Sequence, residues 1–236
     1  IQLTLTTPVV VRLGYSKENE NGSLNDDEPF DDTDHYFIDL GYKSDVFAIN
    51  VFYATQMDES AAEVEPTLFG ALAKFGVGPV SVIAELDAFG GDNAAGVDFT
   101  GIQFIADASM AMSDAFTLGV NLIYSDGTDD ADEVKITRFP GAFFGSMYYA
   151  DYGPFTTDIT PLGSGDVFDP ADTGAGAMGG GVYAKFMPMD ALSLYGQLLY
   201  LTSDEDFTGG FDSGFVGNIG AEYMLVQNAT LALAYS

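Results

Sequence analysis

The chain's single histidine, His35, follows Asp34. A His–carboxylate pair is a general base that hydrolases use once a nucleophile stands beside it. No serine elbow or other second catalytic group accompanies this pair, so no enzyme activity is expected. Cysteine is absent, which excludes disulfides, thiol catalysis and cysteine-ligated metals. The run Gly179, Gly180 and Gly181 has no Lys-Ser/Thr after it, so it is not a phosphate loop. Glycines of this kind suit a crowded or bent strand. Three acidic clusters offer oxygens to a hard cation: Asp26, Asp27, Glu28, Asp31, Asp32 and Asp34; Asp126, Asp129, Asp130, Asp132 and Glu133; and Asp204, Glu205 and Asp206. The EF-hand pattern, Gly at the sixth position and Glu at the twelfth, is met by none of them. The second cluster is the candidate for a weakly bound Ca²⁺ or Mg²⁺, with plain solvated charge as the alternative. No other cofactor is expected.

Composition limits what can position these groups. The net charge is −29, from 36 acidic against 7 basic residues, which excludes a general nucleic-acid binder because that needs a basic footprint. Acidic chains poor in aromatics are commonly disordered, but this one has 19 Phe and 13 Tyr to bury. A membrane-spanning helix needs about 20 consecutive apolar residues, and apolar runs here are only a few residues long. If the chain sits in a membrane it does so as a closed barrel, the other way to satisfy every backbone group in lipid. Ile1 to Val11 shows no basic leader and no cleavage site, and the chain begins in mid-strand, which reads as a mature or incomplete segment.

The dominant pattern is alternation at period two, which marks strands with two different faces. Tyr36, Ile38, Leu40 and Tyr42 alternate with Phe37, Asp39, Gly41 and Lys43. Leu118, Val120, Leu122 and Tyr124 alternate with Gly119, Asn121, Ile123 and Ser125. Similar runs cover 80–89 and 215–224. The pattern predicts eleven strands, over 2–16, 34–43, 46–56, 66–75, 80–90, 98–109, 115–125, 178–187, 191–202, 214–224 and 229–236. Short connections (43–46, 75–80, 110–115, 188–191 and 225–229) alternate with mostly longer ones (17–33, 57–65, 91–97, 126–177 and 203–213). Short turns at one rim and long loops at the other are the pattern of an outer-membrane barrel. The long loops hold 26 of the 36 acids and three bases, Lys17, Lys135 and Arg138. Eleven strands would leave the first and last parallel, whereas an antiparallel bacterial barrel needs an even number. The expected fold is therefore one all-β domain over 1–236, an antiparallel transmembrane β-barrel incomplete at both ends, with at least 12 strands in the whole protein and 14–18 as the favoured range.

The alternation assigns the charged residues a face. With the apolar face toward lipid, the opposite face presents Arg12, Asp39, Lys43, Lys74, Glu85, Asp87, Asp107, Lys185 and Glu222. A Lys or Arg facing lipid at mid-depth costs about 2–4 kcal/mol, so a lumen is their natural place. They read as the lining of a wet pore; ion pairs bracing a narrow barrel are the alternative. The 52-residue segment 126–177 has no periodicity and holds Lys135, Arg138, Phe139, Phe143, Phe144, Tyr148, Tyr149, Tyr152 and Phe155. So many rings need a surface to bury against, and the barrel mouth is the nearest, so the segment reads as a constriction loop. A cap on neighbouring loops or a subunit contact is the alternative.

Stretches such as Asp34-His35-Tyr36-Phe37-Ile38-Asp39-Leu40, Lys74-Phe75-Gly76-Val77-Gly78-Pro79-Val80 and Lys185-Phe186-Met187-Pro188-Met189-Asp190-Ala191-Leu192 resemble the outer-membrane porins of sulfate- and metal-reducing proteobacteria, related to the alginate-export type. The end of the chain, Ala221-Glu222-Tyr223-Met224 to Asn228-Ala229-Thr230-Leu231, is similar to the antepenultimate and penultimate strands of such a porin. The resemblance is one of pattern over most of the chain. It implies a missing front portion and final strand, and it brings no catalytic residues. On both grounds the expected function is a passive outer-membrane channel for small hydrophilic solutes or ions, with mild cation preference set at its acidic mouth. Its surroundings would be outer-membrane lipid and lipopolysaccharide, with homo-oligomerisation open. The other class is a scaffold barrel whose acidic loops bind a partner protein, a polymer or divalent cations.

Overall fold

The computed structural model describes residues 2–6, 9–20, 32–58, 65–92, 95–127, 133–135, 176–204, 213–226 and 229–235. These form one sheet. Its strands are β1 (Gln2–Thr6), β2 (Val9–Glu20), β3 (Asp32–Lys43), β4 (Phe47–Asp58), β5 (Glu65–Val77), β6 (Val80–Asp92), β7 (Asp98–Ser113), β8 (Phe116–Ser125), β9 (Glu133–Lys135), β10 (Ala177–Met189), β11 (Leu192–Thr202), β12 (Ser213–Val226) and β13 (Ala229–Tyr235). All but β9 follow one another as antiparallel neighbours in chain order. Most strands run 10–16 residues, against the roughly 9–11 that cross a bilayer when tilted.

All eleven expected strands are present, with two differences. The span predicted over 2–16 is two strands: β1 pairs antiparallel with β2, Leu3 opposite Leu13 and Thr6 opposite Val10. The hairpin hid in the sequence because Leu3, Leu5, Val9, Val11 and Leu13 read as one continuous alternation. The path therefore has twelve strands, and β1 and β13 run in opposite directions. The odd-count argument for a missing strand does not apply to this path. β1 and β13 are not paired with each other among the described residues. The second difference lies in 126–177, expected to be irregular throughout: β9 pairs parallel with the start of β7, Glu133 opposite Asp98.

Short hairpins share one rim. Val77 pairs with Val80 across Gly78-Pro79; Gly78 has a φ of 59°, the left-handed conformation needed at the first turn position, and the fixed φ of Pro79 suits the second. At 43–47 the Ser44 hydroxyl accepts from the Phe47 amide at 3.1 Å, closing the turn with a side chain. Register shifts at Ala111/Ser113, Phe186/Met189 and Met224/Val226 lie at this same rim, where bulges commonly end strand pairing in barrels.

Alternation sorts the side chains as expected on the outside. Tyr36, Ile38, Leu40 and Tyr42 are exposed, as are Leu118, Val120 and Leu122. The inward face is less polar than the sequence suggested. Phe52, Leu68, Leu72, Ile83, Phe89 and Ile105 form a buried apolar cluster across β4–β7, and Leu199 and Leu201 form a smaller one on β11 with Val216.

Candidate functional site

The outward face carries two levels of aromatic rings. Near the loop rim are Tyr15 and Tyr36, with ring centroids 5.4 Å apart, and Tyr200 and Phe215, 5.1 Å apart. Near the short turns are Tyr42 and Phe47 at 5.6 Å and Phe116 and Phe186 at 6.5 Å. Single strands carry both levels: Phe47 and Tyr53 on β4, Phe69 and Phe75 on β5, Phe116 and Tyr124 on β8, Phe215 and Tyr223 on β12. Those pairs are six or eight residues apart. At about 3.3 Å per residue and about 40° of tilt, the levels are about 15–20 Å apart along the barrel axis. With the rings included this matches the apolar band of about 25 Å between aromatic girdles in outer-membrane barrels.

The inward face holds the charged residues that the alternation placed there. Asp39, Glu85, Asp87 and Asp107 are all buried. Arg12 is partly exposed, and its Nε donates to Asp39 Oδ2 at 2.6 Å. Asn50 Nδ2 donates to the other oxygen, Asp39 Oδ1, at 2.9 Å, so this carboxylate is braced from both neighbouring strands. Register makes Arg12 and Asp39 direct partners of β2 and β3. Glu85 and Asp87 stand two residues apart on β6 and share a face. Asp107 on β7 accepts from the Tyr183 hydroxyl of β10 at 3.0 Å. Lys43 and Lys185 are exposed near the short turns, with Lys74 and Glu222 half-buried at the same end. The nine residues are spread over seven strands and do not converge on one centre.

Rings fold flat over glycines along this wall. Tyr183 is the register partner of Gly119, Tyr195 of Gly220 and Phe52 of Gly70. A Cβ at any of these glycines would lie 2.1 Å from a ring atom of its partner. The absent side chain lets each ring lie along the wall instead of standing off it. The glycine run on β10 has the role expected of it: a Cβ at Gly179, Gly180 or Gly181 would approach a neighbouring carbonyl oxygen to 2.1–2.5 Å.

Uncharged polar residues are the part of the wall that charge-counting missed. Gln103, Asn121, Ser125, Gln197 and Asn218 are all buried inward. Asn218 Nδ2 donates to Gln197 Oε1 at 3.1 Å. The signal that could have found them was their phase: each occupies an inward position of its strand.

At the loop rim, the Tyr124 hydroxyl reaches Asp126 Oδ1 at 3.0 Å and Asp204 Oδ2 at 3.4 Å. Asp204 also accepts from the Gly127 amide at 3.2 Å. Asp126, a candidate cation ligand, thus sits in a latch that joins the ends of β8 and β11. Glu133 and Lys135 lie in β9. The other candidates in this segment, Asp129, Asp130, Asp132, Arg138, Phe139, Tyr148 and Tyr149, lie outside the described residues. Among the described residues no group of three or more His, Cys, Asp or Glu is placed to hold a metal ion.

No protein-family model matches the chain, and no curated protein matches it. Among solved structures it is similar to the crystal structure of Pseudomonas aeruginosa OccK8 (OprE), with a TM-score of 0.56 at 14% identity over 99% of this chain. The sheet is porin-like. The chain spans 65% of the length of that protein. At this identity the likeness concerns the fold, and the resemblance to alginate-export porins gains nothing from it.

Proposed function

We propose that this protein is an outer-membrane porin, a passive diffusion channel for small hydrophilic solutes or ions. The observation that carries the reading is the two-faced wall. One face of the sheet is an exposed apolar band between two aromatic levels, and the other holds nine charged residues and a set of amides beside its apolar clusters. Such a wall is costly in water and favourable around a polar lumen in lipid. Purified protein in planar bilayers is expected to give stable conductance steps. Protein shown to be folded in those bilayers that never conducts would refute the reading.

The selectivity proposed is a mild preference for cations, set at the acidic mouth. The described strand ends at the loop rim include Asp32, Asp34, Glu65, Asp92, Asp98, Asp126 and Asp204, and acidic rings attract cations at a pore entrance. A second reading is a scaffold barrel whose acidic loops bind a partner or divalent cations. It is favoured by one feature, the complete burial of inward residues such as Asp39, Phe52, Leu72 and Leu199, which a filled interior would produce. Pull-down from intact outer membranes, with and without 126–177, separates the two.

A further inference from the structure

Two carboxyls meet inside the wall with no donor between them. Glu85 and Asp87 point inward from β6 and are 1% and 0% exposed. Their side chains lie within hydrogen-bonding reach of each other. Yet neither Asp87 oxygen receives a hydrogen bond from an N–H or O–H among the described residues. Other buried oxygens also lack a donor, the orphan carbonyls of Asn121 and Asn218 among them, but an amide oxygen is neutral. An ionised Asp87 would be a buried charge beside a second one. Gly70, opposite Asp87 on β5, leaves a recess that Asp87 Oδ1 and the Phe52 ring both fill, since a Cβ there would collide with each. One side of this carboxyl therefore meets aromatic carbon rather than water.

The surrounding charges do not resolve the conflict. Register places Leu72 of β5 and Ile105 of β7 opposite Glu85, and Gly70 and Gln103 opposite Asp87. Lys74 of β5 and Asp107 of β7 both stand opposite Ile83, one inward step from Glu85 toward the short turns. Lys74 can offset one negative charge. Asp107, which accepts from Tyr183, adds one on the other side. On β4 the inward residues at this level are Asn50 and Phe52, which bring no charge, and on β8 Asn121 brings none. Arg12 is held by Asp39 on β2 and β3. Two carboxylates at this range in a dry site repel strongly, and a proton between them removes one charge and supplies the missing donor. A proton needs no cavity, so full burial does not exclude it.

We propose that Glu85 and Asp87 share one proton, with Asp87 the neutral acid that donates to the Glu85 carboxylate, and that this pair makes the β5–β7 wall sensitive to alkaline pH. The proton is taken from water as the chain folds, because exposed carboxyls of an unfolded chain ionise near about pH 4. When the Asp87 O–H bond breaks, its electron pair stays on oxygen and the proton passes to a base in solvent. The folded chain thus binds one proton more than the unfolded chain, so raising the pH favours unfolding, by about tenfold in the unfolding constant per pH unit. In Asp87→Asn the amide donates to Glu85 with no titrating proton. Urea unfolding from lipid vesicles is the first test: from about pH 6 to about pH 8 the wild type should lose about a hundredfold more in stability than Asp87→Asn. Infrared spectra in an ester-free detergent at about pH 8, where ordinary carboxyls are ionised, are the second. The wild type should show the carbonyl stretch of a protonated carboxylic acid. Asp87→Asn should lack it, and so should Glu85→Gln, in which the Gln amide is the donor and Asp87 ionises. A wild type without that band would overturn the shared proton, and so would a band kept in either folded variant. Equal pH dependence of wild type and Asp87→Asn would overturn it as well. Glu85→Gln carries the infrared test where Asp87→Asn does not fold. All of this is read from folded protein whether or not it conducts, so the channel reading neither stands nor falls with it.

Discussion

The rings that lie over glycines make a prediction whose size can be worked from distances. In Gly119→Ala the new Cβ would lie 2.1 Å from Tyr183 Cζ and 2.4 Å from its hydroxyl oxygen. Ordinary contact needs about 3.5 Å or more, so the ring must move by about 1.4 Å or swing off the wall. Overpacking of this kind costs about 1–3 kcal/mol. The hydroxyl would also leave Asp107, whose bond of 3.0 Å has a charged acceptor and is worth about 1.5–3 kcal/mol. The two effects overlap, and the expected loss is about 2–4 kcal/mol. The assay is urea unfolding from lipid vesicles, followed by the gel shift between folded and unfolded barrel. Gly217→Ala is the internal control, because a Cβ there meets nothing within 4 Å; it should change stability by less than about 0.5 kcal/mol. Adding Gly119→Ala to Tyr183→Leu should cost at least about 1 kcal/mol less than adding it to the wild type, since contacting pairs couple by such amounts. A Gly119→Ala loss below about 0.5 kcal/mol, or strict additivity with Tyr183→Leu, would refute the ring-over-glycine account.

Arg12→Ala leaves Asp39 buried without its cation and should destabilise by about 3–5 kcal/mol; urea unfolding reads this, and Arg12→Ala/Asp39→Asn should recover part of the loss. Val120→Lys places a charge on the outward band and should cost about 2–4 kcal/mol, whereas Thr117→Lys, on the inward face near Lys185, should cost far less in the same assay. For ion selectivity, reversal potentials across a KCl gradient should show cation preference at low mean salt. The preference should fade as the screening length falls from about 10 Å at 0.1 M to about 3 Å at 1 M. Neutralising Asp129, Asp130, Asp132 and Glu133 together should weaken it, and anion preference at low salt would overturn the acidic-mouth proposal.

Much of this architecture was legible in the residues. Period-two alternation is a local property, so the strands, their two faces and the short-turn and long-loop rims follow without tertiary information. Arg12 and Asp39 were assigned inward from phase alone, and they meet as direct partners. What alternation could not supply was pairing. Residues 2–16 keep one phase straight through the β1–β2 hairpin, and the one local sign of the reversal, Pro8 between the two strands, is outweighed by that continuous alternation; β9 is only three residues long, and its parallel contact with β7 is set by the sheet. Face assignment also says where a side chain points but not what it meets. Leu72, Phe89 and Ile105 are inward yet apolar because they pack on one another across strands, an arrangement that register alone determines. Tyr183 bonding Asp107, 76 residues away, and the orphan carbonyls of Asn121 and Asn218 are likewise tertiary facts. A lone amide in a strand carries no sequence signal that its oxygen will lack a donor, because the donors that could reach it come from other strands.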